Sequence, residues 1–202
     1  MTHLFQSLKT ANLPPRRQKN VDRRVREYLS HREVEELRKA ARKDTRHGLR
    51  NDTLILMMFR HGLRVSEIAS LKWQQVDLKI GLLHVKRLKK GIPSTHPLRA
   101  LELRALRQLA RDYPDSPYIF VSERRSPLSP RTIRHIVCEA GERAGFSFPL
   151  HPHILRHSTG FYLANKGVDT RSIQSYMGHA RIDNTVIYTA LNANRFNDFF
   201  SD

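Results

Sequence analysis

The chain contains one cysteine, Cys138, among 202 residues. A lone thiol closes no internal disulfide and founds no cysteine-based zinc site. It stands in the helix-like run "RHIVCEAGERAG", where a small buried hydrophobe is the expected role. Long apolar runs are also missing. None approaches the roughly 20 residues needed to cross a bilayer. The opening "MTHLFQSLKT" lacks the apolar core and small-residue cleavage site of a secretory signal. A cytoplasmic protein without a membrane partner is expected. No G-x-x-x-x-G-K-[ST] loop is present, so no P-loop nucleotide site is expected. Acidic residues number 19 and are scattered beside basic neighbours. A two-metal nuclease or polymerase needs several carboxylates converging on its ions, so neither a metal nor a cofactor is expected.

Cations are what the chain has in excess. Lys and Arg together number 36, for a formal charge of +17. That surplus favours polyanionic partners, nucleic acid or an anionic membrane surface. With no membrane-spanning run, nucleic acid is the stronger reading. The length suits one substantial domain with an arm. Residues 1–27 include "PPRRQKNVDRRVR" and lack apolar periodicity, which predicts a flexible basic arm.

From residue 28 the pattern becomes helical. Ser30 with Glu33 forms a capping box, followed by Val34, Leu37 and Ala41 at helical spacing. A second helix fits "NDTLILMMFRHG", with Asn51 as cap and Gly62 as stop, and a short third fits "VSEIASLKW". "GLLHVKRLKKGIPSTHPL" reads as two extended runs around a Lys-Lys-Gly turn. Pro93 and Pro97 confine the second run to a sheet edge. Helix returns at "RALELRALRQLARDY", and "SPYIFVS" is a brief extended piece. Ser129 and Pro130 open the next helix, and "HPHILRHSTGFYLANKG", "DTRSIQSYMGH" and "NTVIYTALNA" make three more. In the last, Val186, Ile187 and Leu191 are expected to pack and anchor the helix. The fold class is mainly α with a small antiparallel β-sheet.

Several residues carry candidate chemistry, each with an ordinary alternative. Arg64 follows the Gly62 break at a helix start, a ready anion site. Glu67 one turn on can hold its guanidinium, or the two simply form a surface ion pair. His153 and Arg156 are i and i+3 on one helix face, pairing a group that titrates near neutral pH with a bidentate phosphate clamp. His157 at i+4 from His153 also matches metal-ligand spacing. No H-E-x-x-H glutamate accompanies it, so a structural histidine is favoured over zinc. Lys89 and Lys90 sit in the tight turn, where a solvated charge run is the usual outcome. His179 follows Gly178 at a helix end, where the dipole favours a cation. Tyr188 alone reads as core.

Their order adds what the single residues lack. Arg64 with Glu67, then Lys90, His153-x-x-Arg156, His179 and Tyr188 nine residues later resemble the catalytic set of the tyrosine recombinase (phage integrase) family. "LRVSEIASLKWQQVDL" matches its first-arginine box, and "HILRHSTGFYLANKGVDTRSIQSYMGHARIDNTVIYT" its second and highly specific block. The resemblance runs from about residue 28 to 190 and is strongest to the short fimbrial phase-variation invertases. Most members carry a separate N-terminal DNA-clamping domain for which this chain has no room.

The resemblance implies a tyrosine recombinase catalytic domain over residues 28–191 and a tail, 192–202, that packs on a neighbouring protomer. It implies a site-specific recombinase that cleaves and rejoins DNA through a 3′-phosphotyrosine intermediate, inverting a promoter segment that controls fimbrial phase variation. Arg64 and Arg156 would clamp the phosphate oxygens, with His179 adding a donor. Lys90 would protonate the leaving 5′ oxygen, and His153 would accept or relay the proton of Tyr188, the nucleophile. Partners would be double-stranded DNA with inverted repeats, a homotetramer on DNA formed from monomers or weak oligomers, and DNA-bending accessory proteins at the nucleoid. Arg87 and Lys89 of the hairpin, with Arg131, Arg134 and His135 of the helix after Ser129, are the expected DNA-contacting residues. Arg131 and His135 are i and i+4 and suit either a major groove or phosphate contacts that only position. Two rival classes remain open: a DNA-binding transcriptional regulator of the same fold without strand exchange, and a zinc hydrolase built on the histidines.

Overall fold

Ser30 starts the first helix as its spacing predicts. Its hydroxyl accepts from the Glu33 amide, and the Glu33 carboxylate accepts from the Ser30 amide at 2.8 Å. This capping box opens α1 (His31–Arg42), whose Val34, Leu37 and Ala41 are buried. In the computed structural model, residues 27–43, 46–88 and 91–190 are described. The expected arm up to residue 26, the Lys89–Lys90 turn and the 192–202 tail lie outside them, as does Leu191.

The second helix, α2 (Gly48–His61), runs through the centre. Leu54, Ile55, Leu56, Met57 and Met58 are each at most 1% exposed, so it is apolar on every side, as a core helix must be. It starts four residues earlier than the sequence suggests, with His47 rather than Asn51 at the cap position. Asn51 is not its cap but a buried interior residue whose Oδ1 accepts from Arg50 Nε at 3.1 Å and Nη2 at 2.9 Å. Arg50 Nη1 in turn reaches the Val121 carbonyl at 2.9 Å. An asparagine that serves a buried guanidinium cannot be told from a cap by its identity. Gly62 ends the helix with φ 56°, in the left-handed region where a side chain is strained.

After α3 (Val65–Ala69) and a 3₁₀ turn (Trp73–Gln75) come β1 (Val76–Asp77), β2 (Leu82–Val85) and β3 (Ser94–Pro97). They form one antiparallel sheet in the order β1-β2-β3, with Leu83 opposite His96 and Val85 opposite Ser94. β3 is at the edge, where Pro93 and Pro97 require it to be. β1 is two residues long, too short for any periodicity to reveal. "SPYIFVS" forms no ladder strand; isolated bridges pair Lys72 with Tyr118 and Val121 with Pro127.

Five further helices follow among the described residues: α4 (Ala100–Asp112), α5 (Pro130–Arg143), α6 (Pro152–Asn165), α7 (Thr170–Met177) and α8 (Asp183–Ala190). α5 buries Ile133, Ile136, Val137, Ala140 and Gly141. Cys138 lies beside that stripe rather than on it. Contrary to the expectation of a buried thiol, it is half-exposed, with Sγ 3.6 Å from Glu142 Oε1.

Two apolar clusters result. The large one spans α1, α2 and the sheet; the small one contains Phe161, Ala164, Ile173, Met177 and Tyr188. α8 docks through the small one. Its inward residues are Thr185 and Tyr188, while Val186 and Ile187 are 44% and 42% exposed. The expectation that Val186 and Ile187 anchor this helix is therefore reversed: the tyrosine does.

Candidate active site

Three chain ends meet at one place: the C-terminus of α2, the C-terminus of α7 and the strand leaving β2. The last carbonyls of a helix have no partner within it and carry partial negative charge. Here arginines take them. Arg156 of α6 donates from Nη1 to the Gly62 carbonyl and from Nη2 to the Met177 carbonyl at 2.8 Å. Both forks of a buried guanidinium are thereby fixed two residues from Arg64 and two from His179.

Arg64 is held from the other side. Glu67 accepts from its amide at 2.9 Å and from Nη1 at 2.7 Å. Arg64 stays about a fifth exposed while Glu67 is enclosed. Burial alone would raise the Glu67 carboxyl, but hydrogen bonds from Arg64, the Arg87 charge and the Leu88 amide outweigh it and hold it below the ordinary value. The same holds for Glu102, buried between His61 and Arg60. A depressed carboxylate contributes stability above its unfolded value of about 4.5, and that contribution is lost as pH falls through the folded value. Glu67 and Glu102 therefore keep their full contribution down to pH ~4.5 and lose it below, whereas His96 and His179, held neutral by burial and lowered to about 3, already favour the unfolded chain as pH falls below about 6.5. In a circular-dichroism titration the part of the acid loss that disappears in Glu67→Gln is expected below pH ~4.5 only; a Glu67-dependent loss near pH 6 would contradict the ion-pair assignment.

The remaining basic groups are shifted by their surroundings. Burial, with Arg64 and Arg87 nearby, lowers Arg156 to about 9, so it remains charged at neutral pH. Burial, with Arg156, Arg64 and Arg87 following, lowers His179 to about 3. His179 is thus neutral, with Nδ1 2.8 Å from Thr185 Oγ1. When Nδ1 accepts from that hydroxyl, Nε2 carries the hydrogen as a donor. A phosphate added among these arginines would offset the charge that depresses them.

Tyr188 lies against this group, its ring 6.3 Å from that of His179 and 5.2 Å from that of Phe161. Burial raises its phenol, with Arg156 and Arg64 opposing the rise through their charge. The partner of its hydroxyl is His157, whose Nδ1 is 3.3 Å away. His153, expected to take the tyrosine proton, is one turn removed; its ring meets that of His157 edge to face at 4.7 Å. It lies on the exposed side, where a cavity of about 300 Å³ is lined by Arg64, Ser66, Arg134, His151 and His153. The histidine passed over as structural is the one in contact with the hydroxyl.

The structure therefore brings together Arg64, Glu67, Arg156, His179 and Tyr188, with His153 at the rim. Arg134 lines the same cavity, and Arg131 and His135 are exposed on the same helix. Lys89 and Lys90 fall outside the described residues. Arg87 departs from its expected place on the DNA-facing surface: its side chain is fully enclosed and paired with Glu67 at 3.1 Å. The signal was present in the alternation: Leu83, Val85 and Arg87 are buried while His84, Lys86 and Leu88 are exposed, so Arg87 continues the inward side of β2. Among the described residues, no three or more His, Cys, Asp or Glu are grouped to hold a metal, and no helix is long and apolar enough to cross a membrane.

Comparison with known proteins gives a consistent picture. The family described as "Phage integrase family" matches residues 27–195. Type 1 fimbriae regulatory protein FimB of Escherichia coli (strain K12) is 46% identical over 180 residues, covering 87% of this chain and 90% of that protein. Type 1 fimbriae regulatory protein FimE of the same strain is 41% identical over 177 residues, covering 85% and 89%. The crystal structure of XerA recombinase superposes with a TM-score of 0.73 at 30% identity, covering 85% of this chain and 63% of that one. XerH recombinase bound to its difH substrate gives 0.73 at 22% identity, covering 87% and 54%, a likeness of fold. The chain thus spans somewhat over half the length of these two solved recombinases.

Proposed function

The chain belongs to the phage integrase family, the tyrosine recombinases, and is a site-specific DNA recombinase; from that premise we propose that it inverts a DNA segment through the cluster around Tyr188. The observation that carries this reading is the convergence of Arg64, Arg156 and His179 on the buried tyrosine. A phosphodiester has one negative charge and gains another in its pentacoordinate transition state. Cations fixed in advance against that charge supply the main rate term.

The steps follow from the atoms. Arg64 and Arg156 bind the non-bridging oxygens of the scissile phosphate, and neutral His179 donates to one of them. Tyr188 Oη attacks phosphorus and forms the tyrosine–phosphate bond. Its proton passes to His157, the nitrogen within reach, with His153 next in line toward solvent. The bond from phosphorus to the 5′ oxygen breaks. A hairpin lysine, Lys90 in this reading, protonates that oxygen, because an arginine does not release its proton readily. The product is a 3′-phosphotyrosine and a free 5′-hydroxyl. Its bond energy is retained, so a DNA hydroxyl reverses the step without external energy.

Two of the relatives are named for regulating type 1 fimbriae. Together with the match over nearly their whole length, this supports inversion of a promoter-bearing segment flanked by inverted repeats, with consequences for fimbrial expression. Exchange of strands between two such sites calls for four protomers on DNA. The exposed Arg131, Arg134 and His135 of α5 suit the duplex beside the cleft, and the basic arm, residues 1–27, suits phosphates further along it.

A nicked DNA substrate whose 3′ fragment diffuses away traps the covalent state. Incubation with the protein and mass spectrometry of the protease digest is expected to place the nucleotide adduct on Tyr188. Single Lys89→Ala and Lys90→Ala variants on the same substrate report which hairpin lysine acts. Binding without any adduct would favour a regulator that does not cut.

A further inference from the structure

Arg87 is a cation of the site whose side chain is fully enclosed, and no step above uses it. It nonetheless touches both the segment that presents Arg64 and the one that leads to His179. Nη1 donates to Glu67 Oε2 at 3.1 Å and to the Gly62 carbonyl at 3.3 Å. Nη2 donates to the His61 carbonyl at 3.1 Å and to the Tyr176 carbonyl at 2.6 Å. The first pair of contacts belongs to the α2–α3 junction, which presents Arg64. The last belongs to the end of α7, three residues before His179. The backbone of Arg87 itself begins the hairpin that holds Lys89 and Lys90.

The packing around it leaves no slack. A Cβ on Gly178 would come within 2.5 Å of Arg87 Cγ and 2.7 Å of both its Nε and the Ile92 carbonyl oxygen. A Cβ on Gly91 would meet Arg87 Cβ at 2.7 Å and the Gly178 carbonyl oxygen at 2.8 Å. The returning arm of the hairpin therefore rests backbone to backbone on the turn before His179, with Arg87 between them. The neighbouring Leu88 amide adds a bond to Glu67 Oε1 at 3.2 Å.

Burying a guanidinium costs desolvation unless acceptors meet it. Burial lowers Arg87, with Glu67 opposing the shift through its charge and hydrogen bond. The acceptors are the partially negative ends of two helices and a carboxylate. A point-charge ammonium cannot span these oxygens, whereas the planar fork does. The arrangement spends a buried charge on joining three segments, which is not what a fold needs for stability alone.

We propose that Arg87 is a positioning residue that locks the lysine-bearing hairpin to the Arg64 junction and the His179 turn, so that the general acid meets the leaving oxygen. It rests on the recombinase reading. The effect is therefore expected on proton donation to the 5′ oxygen more than on DNA binding or phosphate grip.

The test uses the full chain and two nicked substrates, one natural and one with sulfur replacing the bridging 5′ oxygen. A thiolate leaves without a proton, so it needs no general acid. Arg87→Gln is expected to slow adduct formation about 100-fold on the natural DNA and by less than about 5-fold on the sulfur substrate, with half-site affinity little changed. Arg87→Lys is expected to show the same selective loss. Gly91→Ala keeps the Arg87 guanidinium and its acceptors but pushes the hairpin off Arg87 Cβ and the Gly178 carbonyl, so it serves if the Arg87 variants fold poorly; the same rescue by sulfur is expected. Equal losses on both substrates, or wild-type rates in Arg87→Gln and Gly91→Ala, would overturn the proposal. If wild-type protein forms no adduct on either substrate, the recombinase reading fails instead.

Discussion

Tyr188→Phe is expected to form no covalent adduct on a nicked substrate, a loss of at least about 10⁴-fold, because no other oxygen of the site can replace the nucleophile. The substitution removes one atom and little else. The hydroxyl makes a long contact, 3.3 Å, to His157, worth no more than about 1 kcal/mol. The ring contacts with Phe161 and His179 remain. Removing a buried hydroxyl while keeping its ring leaves stability within about 1 kcal/mol of wild type. Thermal melts and half-site binding should thus be nearly unchanged while cleavage vanishes. That separation distinguishes a recombinase from a regulator of the same fold, which would lose nothing. An adduct that survives in Tyr188→Phe would remove the tyrosine from the mechanism.

Glu67→Ala is expected to have the largest effect on stability, about 3–5 kcal/mol. Glu67 accepts from Arg64 twice, from Arg87 and from the Leu88 amide. Its loss leaves Arg87 enclosed beside Arg64 and Arg156 with no carboxylate to oppose them. Uncompensated buried charge is among the few single changes of this size. For a chain of this length the melting temperature should fall by roughly 10 °C. The double variant Glu67→Ala/Arg87→Met should lose clearly less than the sum of its singles, since the charge stranded by the first change is removed by the second. A fall of under about 2 °C in Glu67→Ala would mean that water, not Glu67, satisfies these arginines.

The elements that carry Arg64, Glu67, Arg156, His179 and Tyr188 were legible in the sequence, because Gly62, Gly167 and Gly178 and clear caps bound them; reading the five as one set rested on their order and the resemblance to a family. The fold class followed from the same periodicities. Arg87 was misplaced because "VKRLKK" looks like a uniform charge run. Only the strand alternation separates an inward arginine from its outward neighbours, and composition pulled the other way. His157 was passed over because a ring beside Tyr188 depends on where α8 docks on α6, a contact across 31 residues. The inward and outward sides of α8 were exchanged for a related reason: with eight residues, aliphatic side chains outvote a tyrosine in any reading by hydrophobicity.

Gly160 sets how Tyr188 is seated. A Cβ there would meet the Tyr188 ring at 2.4 Å, so the ring lies directly on the backbone of α6. Tyr188 is also one of the five buried members of the small core, and the residue is only 2% exposed. The residue proposed as the nucleophile is therefore the one that closes α8 onto the domain. An α8 that docks through its tyrosine ties the placement of that hydroxyl to the small core, so whatever loosens the core, a local opening that needs little free energy compared with global unfolding, also releases the phenol.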